Sequence, residues 1–331
     1  MQRADLPASL GEIFNVQQAR EAGVSASRLR ARDLTKPYRG VRTDPARTDP
    51  PAEEDDRLSA GRRAELDLMR RARQYGMRMS DEAFFTHITA AVMWGVPLPT
   101  GTVTEILDVG MLAPGRAPRG AGIRGHQIAA HLGSAWVHPL HTLRVASPAT
   151  TWAMLGAVLQ HPYDLVAAAD HLVRIPRMPG GFEPAPGART EACATVTQLA
   201  AAVTSGRRVG IGALREALPR VRTGASSRRE TWLRLILIDA GLPEPMLDHD
   251  VRDADGRFIA CLDLAYPDLR IGVEYDGDHH RTDAGQWAHD VDRLDRLAEE
   301  GWRIIRATRT HIFSMQGVVT QRVRAAIDSR T

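Results

Sequence analysis

The chain has 331 residues, room for two or three domains of ordinary size, and its 43% hydrophobic and 25% charged content is that of a soluble globular protein. It holds no run of about 18 apolar residues, which excludes a membrane-spanning helix, and "MQRADLPASLGEIF" lacks an apolar core of signal-peptide length, which argues against secretion. Two cysteines, Cys193 and Cys261, exclude a disulfide framework or a cysteine zinc site, so a cytoplasmic location is expected; the net charge is +3, with arginine as nearly the whole basic complement and Lys36 the sole lysine.

In chain order, "IFNVQQAREAGVSASRLRARDLTKPYRGVRT" (13–43) predicts a short helix over 16–22 that Gly23 ends, and a second over 26–34 that Ser25 caps. "KPYRGVRT" then reads as a turn and strand. Helix, glycine turn, helix and strand is the layout of a winged helix-turn-helix over residues 1–50. Its second helix would enter a DNA groove, with Ser27, Arg28 and Arg32 as contacts. A small helical hairpin used for packing gives the same pattern. "RTDPARTDPPAEEDD" (42–56) is polar and proline-rich, a linker or exposed loop. Residues 57–79 predict a basic helix carrying Arg57, Arg62, Arg63, Arg70, Arg71, Arg73 and Arg78. Such a cluster either neutralises phosphates or simply faces solvent.

Residues 57–175 read as an α+β middle domain. "DEAFFTHITAAVMWGVPLP" predicts a capped apolar helix ending before Pro97, with strand-like pieces at 103–110, 122–128 and 142–146. Ser147 and Pro148 open another helix, and "PYDLVAAADHLVR" gives one more. His126, His131, His138, His141, His161 and His171 are scattered without close pairing to carboxylates, so no site is expected here. "IPRMPGGFEPAPGART" is rich in Pro and Gly and makes 176–190 a linker to a C-terminal domain over 191–331.

In that domain, eight arginines (207, 208, 215, 220, 222, 228, 229 and 234) lie among predicted helices. Ser226 or Ser227 caps a helix with Glu230 in its first turn and Trp232, Leu233, Ile236 and Leu237 on its apolar face. Residues 258–264 and 271–276 predict two strands joined by a turn in "AYPDLR". Side chains alternate along a strand, so Glu274 and Asp276 share a face, and the hairpin brings Asp263 alongside Glu274. Converging carboxylates repel and are costly to desolvate, which a cation among them relieves. Hard oxygen ligands suit Mg²⁺ or Mn²⁺. The plainer alternative is acids that face solvent or pair with Arg252, Arg257 or Arg270. A helix through "DVDRLDRLAEE", the strand "WRIIRAT" and a closing helix complete the order α-β-β-α-β-α, a small mixed sheet flanked by helices. The expected fold class is α+β multidomain.

The succession of Glu230 on a helix, Asp263 on a strand and Glu274 on the next resembles the PD-(D/E)xK nuclease superfamily. More closely, "DLAYPDLRIGVEYDGDHH" followed by "DVDRLDRLAEEGWRIIRAT" is similar to an endonuclease-like domain related to very-short-patch-repair endonucleases, over about 225–315. Residues 13–175 resemble, less specifically, the winged helix and following domain of type IV abortive-infection antitoxins. The resemblance implies a restriction-endonuclease-like α/β domain and a Mg²⁺- or Mn²⁺-dependent endodeoxyribonuclease. It implies metal on Asp263, Glu274 and the Tyr275 carbonyl, a metal-bound water held by Glu230, and Arg281 and Arg293 either on the phosphate or bracing the carboxylates. Asp276 stands where the superfamily has a lysine; it is expected as a third metal ligand, with His280 or His279 as general base or stabilising the scissile phosphate. The same departure implies an alternative, a non-catalytic antitoxin-like DNA-binding regulator with a degenerate nuclease domain. DNA is the expected partner and a membrane is not; a homodimer and a toxin partner accord with the antitoxin likeness.

Overall fold

A computed structural model describes residues 5–47, 58–184, 189–276 and 284–331. The chain divides into two compact units, Met1–Val158 with Thr204–Val209 and Leu159–Val203 with Gly210–Thr331. Among the described residues, no helix is long and apolar enough to cross a membrane.

In the first unit, β1 (Ile13–Asn15) leads into α1 (Val16–Glu21), where Asn15 accepts the Gln18 N–H at 2.7 Å in a capping box. Gly23, at φ 83°, ends the helix as the sequence predicts. The second helix expected over 26–34 does not form; only a 3-10 turn, Arg28–Arg30, is present. Burial is the reason. Leu29 and Leu34 both enter a core with Leu6, Leu10, Phe14, Ala19 and Val24. Five helical positions would set them about 140° apart, so one would face water. The chain instead turns extended at Ala31 and returns through a Thr35–Thr43 bridge to β2 (Val41–Thr43), which pairs antiparallel with β1.

Helix α2 (Ala60–Gly76) is capped by Ser59 and buries Leu68, Ala72 and Tyr75. The apolar stretch after it divides: Phe84 and Phe85, fully buried, form β3 (Phe84–Phe85), and α3 (His87–Met93) begins two residues later. Then come β4 (Leu107–Leu112), β5 (Ile123–Ile128), β6 (Ala135–Val137) and β7 (Arg144–Ala146). The sheet order is β5-β4-β3-β7-β6. α4 (Pro148–Leu155) starts at the predicted Ser147 cap with Pro148 in its first turn.

The second unit opens with α5 (Pro162–Val173), α6 (Val196–Thr204), α7 (Ile211–Ala217) and α8 (Arg228–Asp239). β8 (Met246–Arg252), β9 (Phe258–Tyr266) and β10 (Ile271–Tyr275) form an antiparallel run. α9 (Ala284–Glu299) crosses over to β11 (Arg303–Ala307), parallel to β10, and α10 (Arg309–Phe313) and α11 (Gln316–Asp328) close the chain. The order β11-β10-β9-β8 is the expected small mixed sheet, lengthened by β8, which the sequence reading lacked. One core joins Leu233 and Leu237 of α8 and Val319 and Val323 of α11 to Leu264, Ile271, Val273 and Ile305. A second packs Leu294 and Leu297 of α9 against Ala260, Leu262 and Ile304. The chain is therefore α+β, and β10 lies inside the sheet with helices on both faces.

Candidate functional site

Strand β10 reverses out of β9 through a 3-10 turn, Pro267–Leu269, and left-handed Arg270 at φ 48°. The register sets Ile271 against Tyr266 and Val273 against Leu264. One step further along, it carries Asp263 to Glu274, as the hairpin reading requires. Asp263 Oδ2 accepts the Tyr275 N–H at 2.8 Å. α8 delivers the third acid. Ser227 caps that helix by accepting the Glu230 N–H at 3.2 Å, and Glu230 Oε2 accepts the Ser226 N–H at 2.7 Å. Glu230 and Glu274 are buried, at 8% and 9% exposure.

Burial penalises charge here. It pushes the Glu230 carboxyl up to about 7, helped by the neighbouring Asp263 and opposed by Ser226, Ser227 and Arg174. Burial also pushes Asp263 up to about 6; the Tyr275 N–H opposes it and Glu274 adds to it. Glu274 has a cation. Arg293 of α9 grips it with both nitrogens, Nη1 to Oε1 at 2.6 Å and Nη2 to Oε2 at 3.0 Å, and reaches Asp290 Oδ1 at 2.8 Å. Those acids hold the Arg293 guanidinium firmly protonated. Asp276 lies 3.7 Å from Arg306, which also binds Asp290. Among the described residues, no three of these acids bring oxygens within 4.8 Å of one another.

The site thus consists of hard oxygen donors with surplus negative charge, partly proton-neutralised and partly answered by Arg293. That donor chemistry fits Mg²⁺ or Mn²⁺. His279, His280 and Arg281 lie outside the described residues. The proposed groove contacts are not on an α-helix: Ser27 and Arg32 are exposed, and Arg28, in the 3-10 turn, pairs with Asp33 at 3.0 Å. Half of the arginine cluster is ion-paired within its own unit. Arg234, fully buried, binds Asp170 at 2.9 Å, Arg222 binds Glu244 at 2.9 Å, Arg228 binds Asp164 at 2.6 Å, and Arg220 binds Asp239.

One group escapes the sequence reading. His126 is not free of carboxylates: its Nε2 lies 2.9 Å from Asp108 Oδ1, and its ring stacks on His87 with centroids 3.9 Å apart. The three residues are far apart in sequence, and only the pairing of β3, β4 and β5 assembles them.

The chain is 28% identical over 264 residues to the Uncharacterized protein MT2308 of Mycobacterium tuberculosis (strain CDC 1551 / Oshkosh). It is similar to the same extent to the Uncharacterized protein Rv2248 of Mycobacterium tuberculosis (strain ATCC 25618 / H37Rv). Each match spans 80% of this chain and 88% of the relative. No family model and no solved structure matches.

Proposed function

We propose that the second unit is a metal-dependent DNA endonuclease that hydrolyses phosphodiester bonds. The observation that carries this reading is the buried acid group, Glu230 and Asp263 beside Glu274 on α8, β9 and β10. Buried, mutually repelling carboxylates destabilise a fold unless a cation relieves them, and such perturbed groups concentrate at functional sites. Asp263, Glu274 and the Tyr275 carbonyl would hold Mg²⁺ or Mn²⁺, which supplies Lewis-acid stabilisation of a phosphate and a more acidic water. Glu230, with a carboxyl near neutrality, is suited to take a proton from that water. Arg293 is suited to bind the phosphate when it is not gripping Glu274.

A second reading, a DNA-binding regulator without catalysis, is favoured by two observations. Arg293 occupies both oxygens of Glu274, and Asp276 stands where the resembled nucleases carry lysine. One experiment separates the two. Plasmid and short duplexes are incubated with Mg²⁺, Mn²⁺ or EDTA, using wild type, Asp263→Ala and Glu274→Ala. Metal-dependent nicking that falls by roughly 100-fold or more in both variants is the expected result. Equal cutting by all three proteins sinks the site. Salt-sensitive DNA binding without cutting of any substrate favours the regulator.

A further inference from the structure

In the first unit, the sheet brings three metal-binding side chains to one point. β4 and β5 run parallel, setting Asp108 against Arg124 and Gly110 against His126. Asp108 and Gly110 share a face of β4, as Arg124 and His126 share one of β5. Gly110 permits close approach at this point: a Cβ there would meet Thr86 Cγ2 at 2.6 Å and Ile128 Cδ1 at 2.7 Å. Thr86 also donates its backbone N–H to the Asp108 carbonyl at 3.0 Å, which draws the start of α3 against β4. The outcome is a compact set. One ring nitrogen each of His87 and His126 and one carboxylate oxygen of Asp108 all lie within 4.8 Å of one another.

The surroundings fit ligation. Thr86 Oγ1 lies 3.1 Å from His87 Nδ1, which leaves Nε2 for a metal; a neighbour on the second nitrogen is how ligating histidines are oriented. Asp108 is 2% exposed and its backbone N–H donates to Thr89 Oγ1 at 2.8 Å. The His126 side chain is 23% exposed, so the group has a solvent side. His87 sits at φ 44°, a left-handed conformation uncommon for a residue with a side chain. A hydrogen bond from His126 and the Arg124 guanidinium, 3.4 Å from the same Asp108 oxygen, account for Asp108 and His126. They give no reason for His87 to adopt that backbone and lay its ring on His126.

We propose that His87, Asp108 and His126 bind one divalent transition-metal ion of the zinc class. Two imidazoles and a carboxylate are the mixed nitrogen and oxygen set that zinc and its neighbours take, whereas Mg²⁺ and Ca²⁺ favour oxygen throughout. Three protein ligands leave a coordination position for water or a small anionic ligand.

The full chain, stripped with a chelator, is titrated with Zn²⁺ against a chromophoric competitor and with Co²⁺ by visible absorption. One tight equivalent is expected. His87→Ala and His126→Ala weaken it by roughly 100-fold or more, since even supporting partners of a ligand are worth 10–100-fold. Asp263→Asn and Glu274→Gln leave it in place, which separates it from the acidic site. Circular dichroism checks that the histidine variants fold. If either does not, proton NMR of the wild-type Co²⁺ complex decides, with hyperfine-shifted imidazole signals expected from both histidines. No tight equivalent in wild type, its persistence in both folded variants, or a Co²⁺ complex without histidine signals overturns the proposal.

Discussion

At the scale of single residues, the acid site makes stability depend on pH in an unusual direction. Glu230 and Asp263 are raised in the folded chain to about 7 and about 6, above ordinary carboxylate values. The folded state therefore keeps protons that the unfolded state has lost. Stability from these groups is fully present below about pH 4 and is lost as pH rises toward 7. His87 and His138 work in the opposite sense: burial holds both imidazoles down at about 4, so they favour folding as pH rises from 4 to about 6.5. The informative quantity is thus the difference between wild type and Glu230→Gln. Urea midpoints at pH 5 and pH 8 should show the variant gaining on wild type at pH 8, by on the order of a few kcal/mol. Saturating Mg²⁺ should raise the wild-type midpoint more at pH 8, where the carboxylates ionise. A variant that tracks wild type at both pH values would remove Glu230 from the buried site.

At the scale of elements, what the sequence made legible was local. Asn15 and Gly23 bound α1, Ser147 with Pro148 starts α4, and Ser227 caps α8, because a cap needs only its own few residues. The Asp263–Glu274 juxtaposition was legible too, since a hairpin fixes register across a short turn. Elements settled by distant packing were not. The 26–34 helix gave way to the burial of Leu29 and Leu34. β8, "MLDHDVR", is mostly polar and half-exposed at a sheet edge, so nothing in its pattern announces a strand. Arg293 braces Glu274, one of the two roles the resemblance implied for it, but no spacing could show that β3, β4 and β5 would join His87, Asp108 and His126. Gly272, by contrast, is a sequence feature that only the structure explains. Glycine weakens a strand, yet a Cβ here would stand 2.7 Å from Ile304 Cδ1 and 2.9 Å from Leu262 Cδ1. Gly272→Val should overpack that face and cost about 1–3 kcal/mol in urea unfolding. A neutral or stabilising valine would show that α9 and β11 yield easily.

At the scale of the whole molecule, 43 basic residues stand against 40 acidic ones, so attraction to DNA depends on where arginines point rather than on net charge. Arg220 and Arg222 are tied to Asp239 and Glu244 within their own unit. Arg63 and Arg73, on α2, are exposed. A phosphate contact releases counterions, and each one lost flattens the slope of log affinity against log salt by about 0.9. If the protein grips duplex DNA through α2, Arg63→Ala and Arg73→Ala should each reduce that slope by roughly one, uniformly across sequences. Arg220→Ala and Arg222→Ala should leave the slope as it is and lower stability only slightly, by about 0.2–1 kcal/mol, because the pairs they break are partly exposed. Fluorescence anisotropy over a salt series measures the first effect and urea unfolding the second. Equal flattening by both pairs would mean that these ion pairs open on the nucleic acid, and that the 207–234 arginines serve phosphate after all.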